Sequence, residues 1–110
     1  MDYMRENIRL EPFQYNVIVD AFKNTFIAGD SLWIFGSRAD LAKRGGDIDL
    51  YIETQIVEMH DAYQRESKFI DIMWDKLGEQ KIDIVINFLS LDAQDLPIYQ
   101  VARTQGVKIV

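Results

Sequence analysis

Cysteine is absent from this sequence, and histidine occurs only once in its 110 residues. Without cysteine the chain has no disulfide framework and no thiolate metal site, which is typical of a protein from a reducing compartment. Long apolar runs are also missing, since none approaches the roughly 20 residues that span a bilayer. The first residues, MDYMRENIRLEP, lack the basic-then-apolar order of a secretion signal. These absences predict a soluble protein of the cytoplasm.

Basic residues are scarce relative to acidic ones, with 12 Lys and Arg against 18 Asp and Glu and a formal net charge of -6. General nucleic-acid binding usually requires a basic face, so direct contact with nucleic acid is not expected. A local basic patch can still hold a phosphate. Because 48% of the residues are hydrophobic and 12% aromatic, the chain can build a packed core. Its length suits one domain over residues 1–110, with residues 1–10 as a loosely ordered lead-in.

The apolar periodicity predicts helices that alternate with short strands. Pro12 and Pro97 suit the first turn of a helix, and Gly106 suits a helix end. We predict helices at 12–28, at 56–77 and from 95 to a stop at Gly106, and strands at 32–35, 48–52, 82–88 and 107–110. The first two strands have a short connection and are expected to be antiparallel, whereas the third follows a long helix and is expected to run parallel to one of them. The predicted class is α+β (mixed α/β), a small mixed sheet with helices packed on it in the order α-β-β-α-β-α-β.

Three carboxylates are predicted to share one face of this sheet. Side chains alternate between faces along a strand, so Asp47 and Asp49 lie together while Ile48 and Leu50 point to the core. Asp83 is flanked by aliphatic residues in the same way in the third strand. If the two strands are neighbours, the carboxylates converge and repel one another. A hard cation such as Mg²⁺ prefers oxygen ligands and removes this repulsion, which predicts a metal site for phosphoryl or nucleotidyl transfer.

The loop before the first two carboxylates is predicted to hold a phosphate. Gly36 allows the backbone to come close to such a group. Ser37 offers a hydroxyl and a main-chain N–H at the start of a possible helical turn over residues 39–43. Arg38 can bind a triphosphate with two nitrogens. Positioning and charge neutralisation supply most of the catalysis of phosphoryl transfer, and these groups offer both.

Each of these features alone has an ordinary explanation. Asp-x-Asp at the start of a strand is usually solvated, Gly-Ser is usually a turn, and Asp83 alone would be an outer-face residue. The only histidine, His60, has no second ligand nearby in the sequence and is predicted to lie on a helix surface or at the edge of the core. The combination of all three pieces, in order and each beside an apolar strand, favours a functional site.

The motifs FGSRAD…GGDIDLYIE and KIDIVI resemble the signature of the DNA polymerase beta-like nucleotidyltransferase superfamily, and within it the small stand-alone minimal nucleotidyltransferases. The resemblance covers the order of elements from about residue 12 to residue 110. It implies that the triphosphate is held by Gly36, Ser37 and Arg38. It implies that magnesium is bound by Asp47, Asp49 and Asp83.

The loop departs from this family at three positions. Asp40 and Leu41 stand where Arg and Gly are frequent, and Gly46 replaces a frequent Ser. The loss of one positive charge predicts weaker binding of the triphosphate. The three carboxylates themselves are intact.

The resemblance implies a Mg²⁺-dependent enzyme that moves AMP from ATP to a hydroxyl group. Many small members of the family are antitoxins, which neutralise a HEPN-domain ribonuclease toxin by adding AMP to one of its tyrosines and would form a hetero-oligomer with it. One alternative is a catalytically weak or inactive module of the same fold that neutralises a partner by binding alone. A further alternative is transfer to a small molecule, although relatives with such substrates generally carry an additional domain.

Overall fold

A computed structural model describes residues 8–39, 46–91 and 95–110 of the chain. The predicted helical turn at 39–43 and the departures at Asp40 and Leu41 therefore fall largely or wholly outside the described residues, as do residues 1–7 of the lead-in. The helices are α1 (Pro12–Thr25), α2 (Met59–Leu77) and α3 (Pro97–Gln105), and the strands are β1 (Ser31–Phe35), β2 (Ile48–Thr54), β3 (Ile82–Phe88) and β4 (Val107–Lys108). None of the helices in these ranges is long and apolar enough to cross a membrane.

Local features of the sequence set where α1 and α2 begin. Pro12 occupies the first turn of α1, as its fixed φ favours. The long helix α2 begins three residues later than the predicted position 56, because the Glu58 carboxylate accepts the backbone N–H groups of His60 and Asp61 at 2.8 and 2.9 Å. A side chain that accepts these otherwise unpaired donors defines the start of a helix. The apolar periodicity alone did not reveal this cap.

The four strands form one mixed sheet in the spatial order β3-β2-β1-β4. β1 is antiparallel to β2 and to β4, whereas β2 and β3 are parallel. The predicted antiparallel pairing of the first two strands and the parallel placement of the third are thus confirmed, and so is the mixed α+β class. In parallel neighbours both strands start at the same edge of the sheet, so the residues that open β2 and β3 lie side by side.

The two faces of the sheet have different surroundings. Ile48, Leu50 and Ile52 on one face are fully buried in a core that includes Phe22 of α1 and Phe69 of α2. Because side chains alternate along a strand, the intervening residues of β2 point to the opposite face. That face carries the predicted carboxylates at one end and is covered by α3 further along.

A polar network fixes α3 over this second face. Arg103 of α3 binds both carboxylate oxygens of Asp95, at 2.7 and 2.9 Å, and donates to the hydroxyl of Tyr51 at 3.0 Å. The same hydroxyl accepts a hydrogen bond from Asn87 and donates one to Glu53. Tyr51 is fully buried, so these bonds satisfy its hydroxyl where water cannot. As a result α3 covers the part of this face that lies beyond the carboxylates along β2.

Candidate functional site

The register of the parallel strands brings Asp49 and Asp83 directly beside each other, since the two residues are paired across β2 and β3. Both side chains point to the face opposite the core, and the Asp83 carboxyl lies within hydrogen-bonding reach of Asp49. Asp47 comes two residues before Asp49 and is close enough for its charge to act on that carboxyl. The structure therefore gathers all three predicted carboxylates at the edge where β2 and β3 begin.

The grouping is electrostatically unfavourable for Asp49. Burial raises the pKa of its carboxyl, and the nearby carboxylates of Asp83 and then Asp47 raise it further. Both causes penalise the charged form, because burial removes water from it and like charges repel. Asp49 thus sits in a place that favours either a proton or a cation.

Lys81 is a cation at this site that the sequence analysis did not single out. Its ammonium Nζ lies 3.6 Å from Asp47 Oδ2 and 3.8 Å from Asp83 Oδ2. Its charge opposes the rise in the pKa of Asp49, but more weakly than burial and the two carboxylates. A signal for it was present in the sequence: Lys81 precedes Asp83 by two positions and therefore falls on the same face of an extended chain.

The predicted Gly-Ser turn directly follows β1, and its glycine lies against the Asp49 carboxylate. Phe35 is the register partner of Asp49, so Gly36 comes next to that side chain. Gly36 has φ +70°, and a Cβ at this position would overlap the Asp49 carboxylate oxygen. Only glycine combines this left-handed conformation with such a close approach. The predicted role of Gly36 in phosphate binding stays a prediction, and in the structure the absence of a side chain at Gly36 leaves room for the Asp49 carboxylate.

Ser37 and Arg38 follow in a single 3₁₀ turn, Gly36–Ala39. The guanidinium of Arg38 donates to the backbone carbonyl of Arg9 at 2.9 Å and to that of Gly46 at 3.2 Å. The backbone N–H of Arg9 in turn donates to the carbonyl of Arg38 at 2.7 Å. Arg38 thus ties the segment before α1 to the residue just before Asp47. Its predicted contact with a triphosphate stays a prediction, and its observed contacts hold the backbone of the site.

The donor set fits Mg²⁺ in its chemistry. Carboxylate oxygens are the ligands this ion prefers, and a cation would offset the burial and like-charge repulsion that raise the pKa of Asp49. Within residues 8–39, 46–91 and 95–110, however, no group of three or more His, Cys, Asp and Glu side chains is already arranged around one metal position. The side chains of Asp47 and Asp83 are 52% and 53% exposed. They therefore have room to turn toward a common ion, and all three carboxylates would hold it.

No protein-family model and no curated protein matches this chain.

Proposed function

We propose that this chain is a Mg²⁺-dependent nucleotidyltransferase that moves AMP from ATP to a hydroxyl group. The observation that carries the proposal is the meeting of Asp47, Asp49 and Asp83 at one edge of the sheet, directly beside the Gly36-Ser37 turn. A divalent cation would offset the repulsion among these carboxylates, and Gly36 of the turn lies against one of them. Metal ligands and a candidate phosphate-binding turn together support transfer at phosphorus.

In the reaction, the acceptor oxygen attacks the α-phosphorus of ATP and forms a new P–O bond. The bond from that phosphorus to the bridging oxygen of the β-phosphate breaks, and pyrophosphate leaves with the electron pair. Asp83 accepts the proton of the acceptor hydroxyl and then releases it to solvent. Asp47, Asp49 and Asp83 would hold Mg²⁺, which would supply positive charge to the triphosphate and to the leaving pyrophosphate. Asp47 and Asp49 would orient the metal ion toward the triphosphate. Ser37 offers its hydroxyl and its backbone N–H to the β- and γ-phosphates.

The acceptor is proposed to belong to another macromolecule. The carboxylates lie at an open edge, and the described part of the chain has no element that closes over Asp47 or Asp83, which are half exposed. A partner that brings its own hydroxyl would complete the site. The resemblance to the minimal nucleotidyltransferases supports a HEPN-domain toxin as this partner and a tyrosine as the source of the hydroxyl, so the chain would act as its antitoxin.

The test is transfer measured by mass. The purified protein is incubated with ATP, Mg²⁺ and the product of the neighbouring reading frame, and the intact mass of that product is recorded. The proposal expects an increase equal to one adenylyl group, which is AMP less water, and carried by a tyrosine. The double variant Asp47→Asn with Asp49→Asn should abolish it, whereas Asp71→Asn, which alters an exposed carboxylate on α2, should leave it unchanged. An unmodified partner with every nucleoside triphosphate, or full transfer by the double variant, would refute the proposal.

A second candidate function is neutralisation of the partner by binding alone. Two observations favour it: no three-residue ligand set is already arranged for a metal in the described residues, and the guanidinium of Arg38 is engaged with backbone carbonyls. In this case the complex with the partner would form equally well with the double Asp→Asn variant and without ATP. Calorimetry that finds micromolar affinity of the isolated chain for Mg-ATP would count against this second function.

A further inference from the structure

Lys81 contacts the site through both its backbone and its side chain. It is the residue immediately before β3, and its backbone carbonyl accepts the N–H of Ile48 at 3.2 Å. This bond ties Lys81 to the stretch of chain between Asp47 and Asp49. From that anchored position its ammonium bridges Asp47 and Asp83. Lys81 is therefore held at the edge of the sheet where the carboxylates meet, by its backbone carbonyl and by its side chain.

In the described part of the chain, positive charge reaches these carboxylates from Lys81, whose ammonium lies 3.6 Å from Asp47 Oδ2 and 3.8 Å from Asp83 Oδ2. A divalent cation held by the three carboxylates would bring further positive charge to the same place. It would bind the carboxylates that Lys81 now contacts and would repel the ammonium at short range. Lys81 and a metal ion would therefore compete for Asp47 and Asp83.

We propose that Lys81 is a tethered counter-cation that controls how tightly the site binds a divalent ion. Without metal, it holds Asp47 and Asp83 at the edge despite their mutual repulsion. When the metal binds, the ammonium must leave both oxygens, so the wild-type site binds the ion more weakly than the carboxylates alone would. Lys81 acts through the carboxylates and is a positioning residue. This inference rests on the proposed nucleotidyltransferase function, because it assumes that the three carboxylates hold Mg²⁺.

The experiment compares the binding of Mn²⁺, as a spectroscopic substitute for Mg²⁺, to the wild-type chain and to Lys81→Met. Affinity is measured by titration calorimetry and by the electron paramagnetic resonance signal of free Mn²⁺. We expect Lys81→Met to bind roughly three- to tenfold more tightly, the effect of losing two partly exposed ion pairs. Lys81→Arg keeps the charge and should stay near the wild-type affinity. Lys68→Met, which removes a lysine beside Thr25 on the helical side of the molecule, should also leave the affinity unchanged.

Thermal unfolding in EDTA provides a readout that needs no catalysis. Without metal, Lys81→Met leaves the carboxylates uncompensated, so its melting temperature should fall below that of the wild type. On addition of Mg²⁺, the variant should gain more in melting temperature than the wild type, because a ligand that binds more tightly to the native state stabilises it more. Lys81→Gln, with the same loss of charge, should repeat both effects. The Lys81 side chain is 65% exposed, so neither substitution removes buried packing.

The results distinguish a failure of the role proposed for Lys81 from a failure of the proposed metal site. If Lys81→Met and the wild type bind Mn²⁺ equally, the role of Lys81 is refuted while the metal site stands. The same conclusion follows if Lys68→Met tightens binding as much as Lys81→Met, since the effect would then be one of net charge. If no variant binds Mn²⁺ at millimolar concentration, the proposed metal site fails, and the role of Lys81 fails with it.

Discussion

The close approach of Gly36 to Asp49 makes Gly36→Ala a direct probe of the site. Two separate penalties apply to this substitution. Alanine must adopt φ +70°, which is unfavourable for any residue with a Cβ. The new methyl group must also displace the Asp49 carboxylate, because the ideal Cβ position overlaps one of its oxygens. The first penalty concerns the backbone alone, and the second concerns the geometry of a predicted metal ligand.

Gly29 allows the two penalties to be measured apart. It has φ +94°, and nothing lies within 4 Å of a Cβ built there. Gly29→Ala should therefore cost only the conformational penalty, about 1 kcal/mol. Gly36→Ala should cost that amount and about 1 to 2 kcal/mol more for the overlap, by analogy with overpacked interiors. We expect a total of about 2 to 3 kcal/mol from these two sources.

Urea unfolding followed by circular dichroism measures both costs, and calorimetry with Mn²⁺ measures the effect on the site. Gly36→Ala should weaken Mn²⁺ binding by at least about tenfold, as expected when one ligand carboxylate is forced out of place, while Gly29→Ala should leave it unchanged. A double-mutant cycle tests whether the Asp49 carboxylate is the group that the new methyl displaces. In an Asp49→Ala background, the loss of unfolding free energy caused by Gly36→Ala should fall to that caused by Gly29→Ala. If both glycine variants lose the same stability, and Mn²⁺ affinity is unaffected in Gly36→Ala, the proposed contact between Gly36 and Asp49 is wrong.

Two further predictions concern the electrostatics and the backbone of the same site. Because the pKa of Asp49 is raised in the folded state, the native chain binds this proton more readily than the unfolded chain, and stability is lost as pH rises from the ordinary value of 3.8 through the raised one. Asp49→Asn should therefore unfold at higher urea concentration than the wild type at pH 7 in EDTA and lose that advantage below pH 3.8; an advantage that persists in acid would contradict the assigned cause. Arg38→Lys keeps the charge but lacks the planar fork that donates to the carbonyls of both Arg9 and Gly46, so it should lose about 1 to 2 kcal/mol of stability, and Arg38→Met should lose a similar amount. If Arg38→Lys instead retains wild-type stability while Arg38→Met does not, the charge of Arg38 and not its bridging geometry is what matters.

The elements of the fold were accessible from the sequence because their signals are local. Periodic apolar residues indicated the helices, and Pro12 and Gly106 indicated where α1 begins and α3 ends. The start of α2 was predicted three residues too early, since Ile56 continues the apolar stripe although it lies outside the helix. The cap at Glu58 depends on where its side chain turns, and apolar spacing does not carry that information. The alternation that puts Asp47 and Asp49 on one face follows from strand geometry alone.

The sequence by itself determined the types of residue at the site and the faces on which they lie, because both depend on short-range geometry. Only the tertiary structure decided which of them meet: the pairing of Asp49 with Asp83, the overlap between Gly36 and the Asp49 carboxylate, and the bridge of Lys81. Those contacts depend on the register between strands that are distant in the chain. Register is set by the packing of a whole buried face against the helices, since a shift of one residue would expose that face to water.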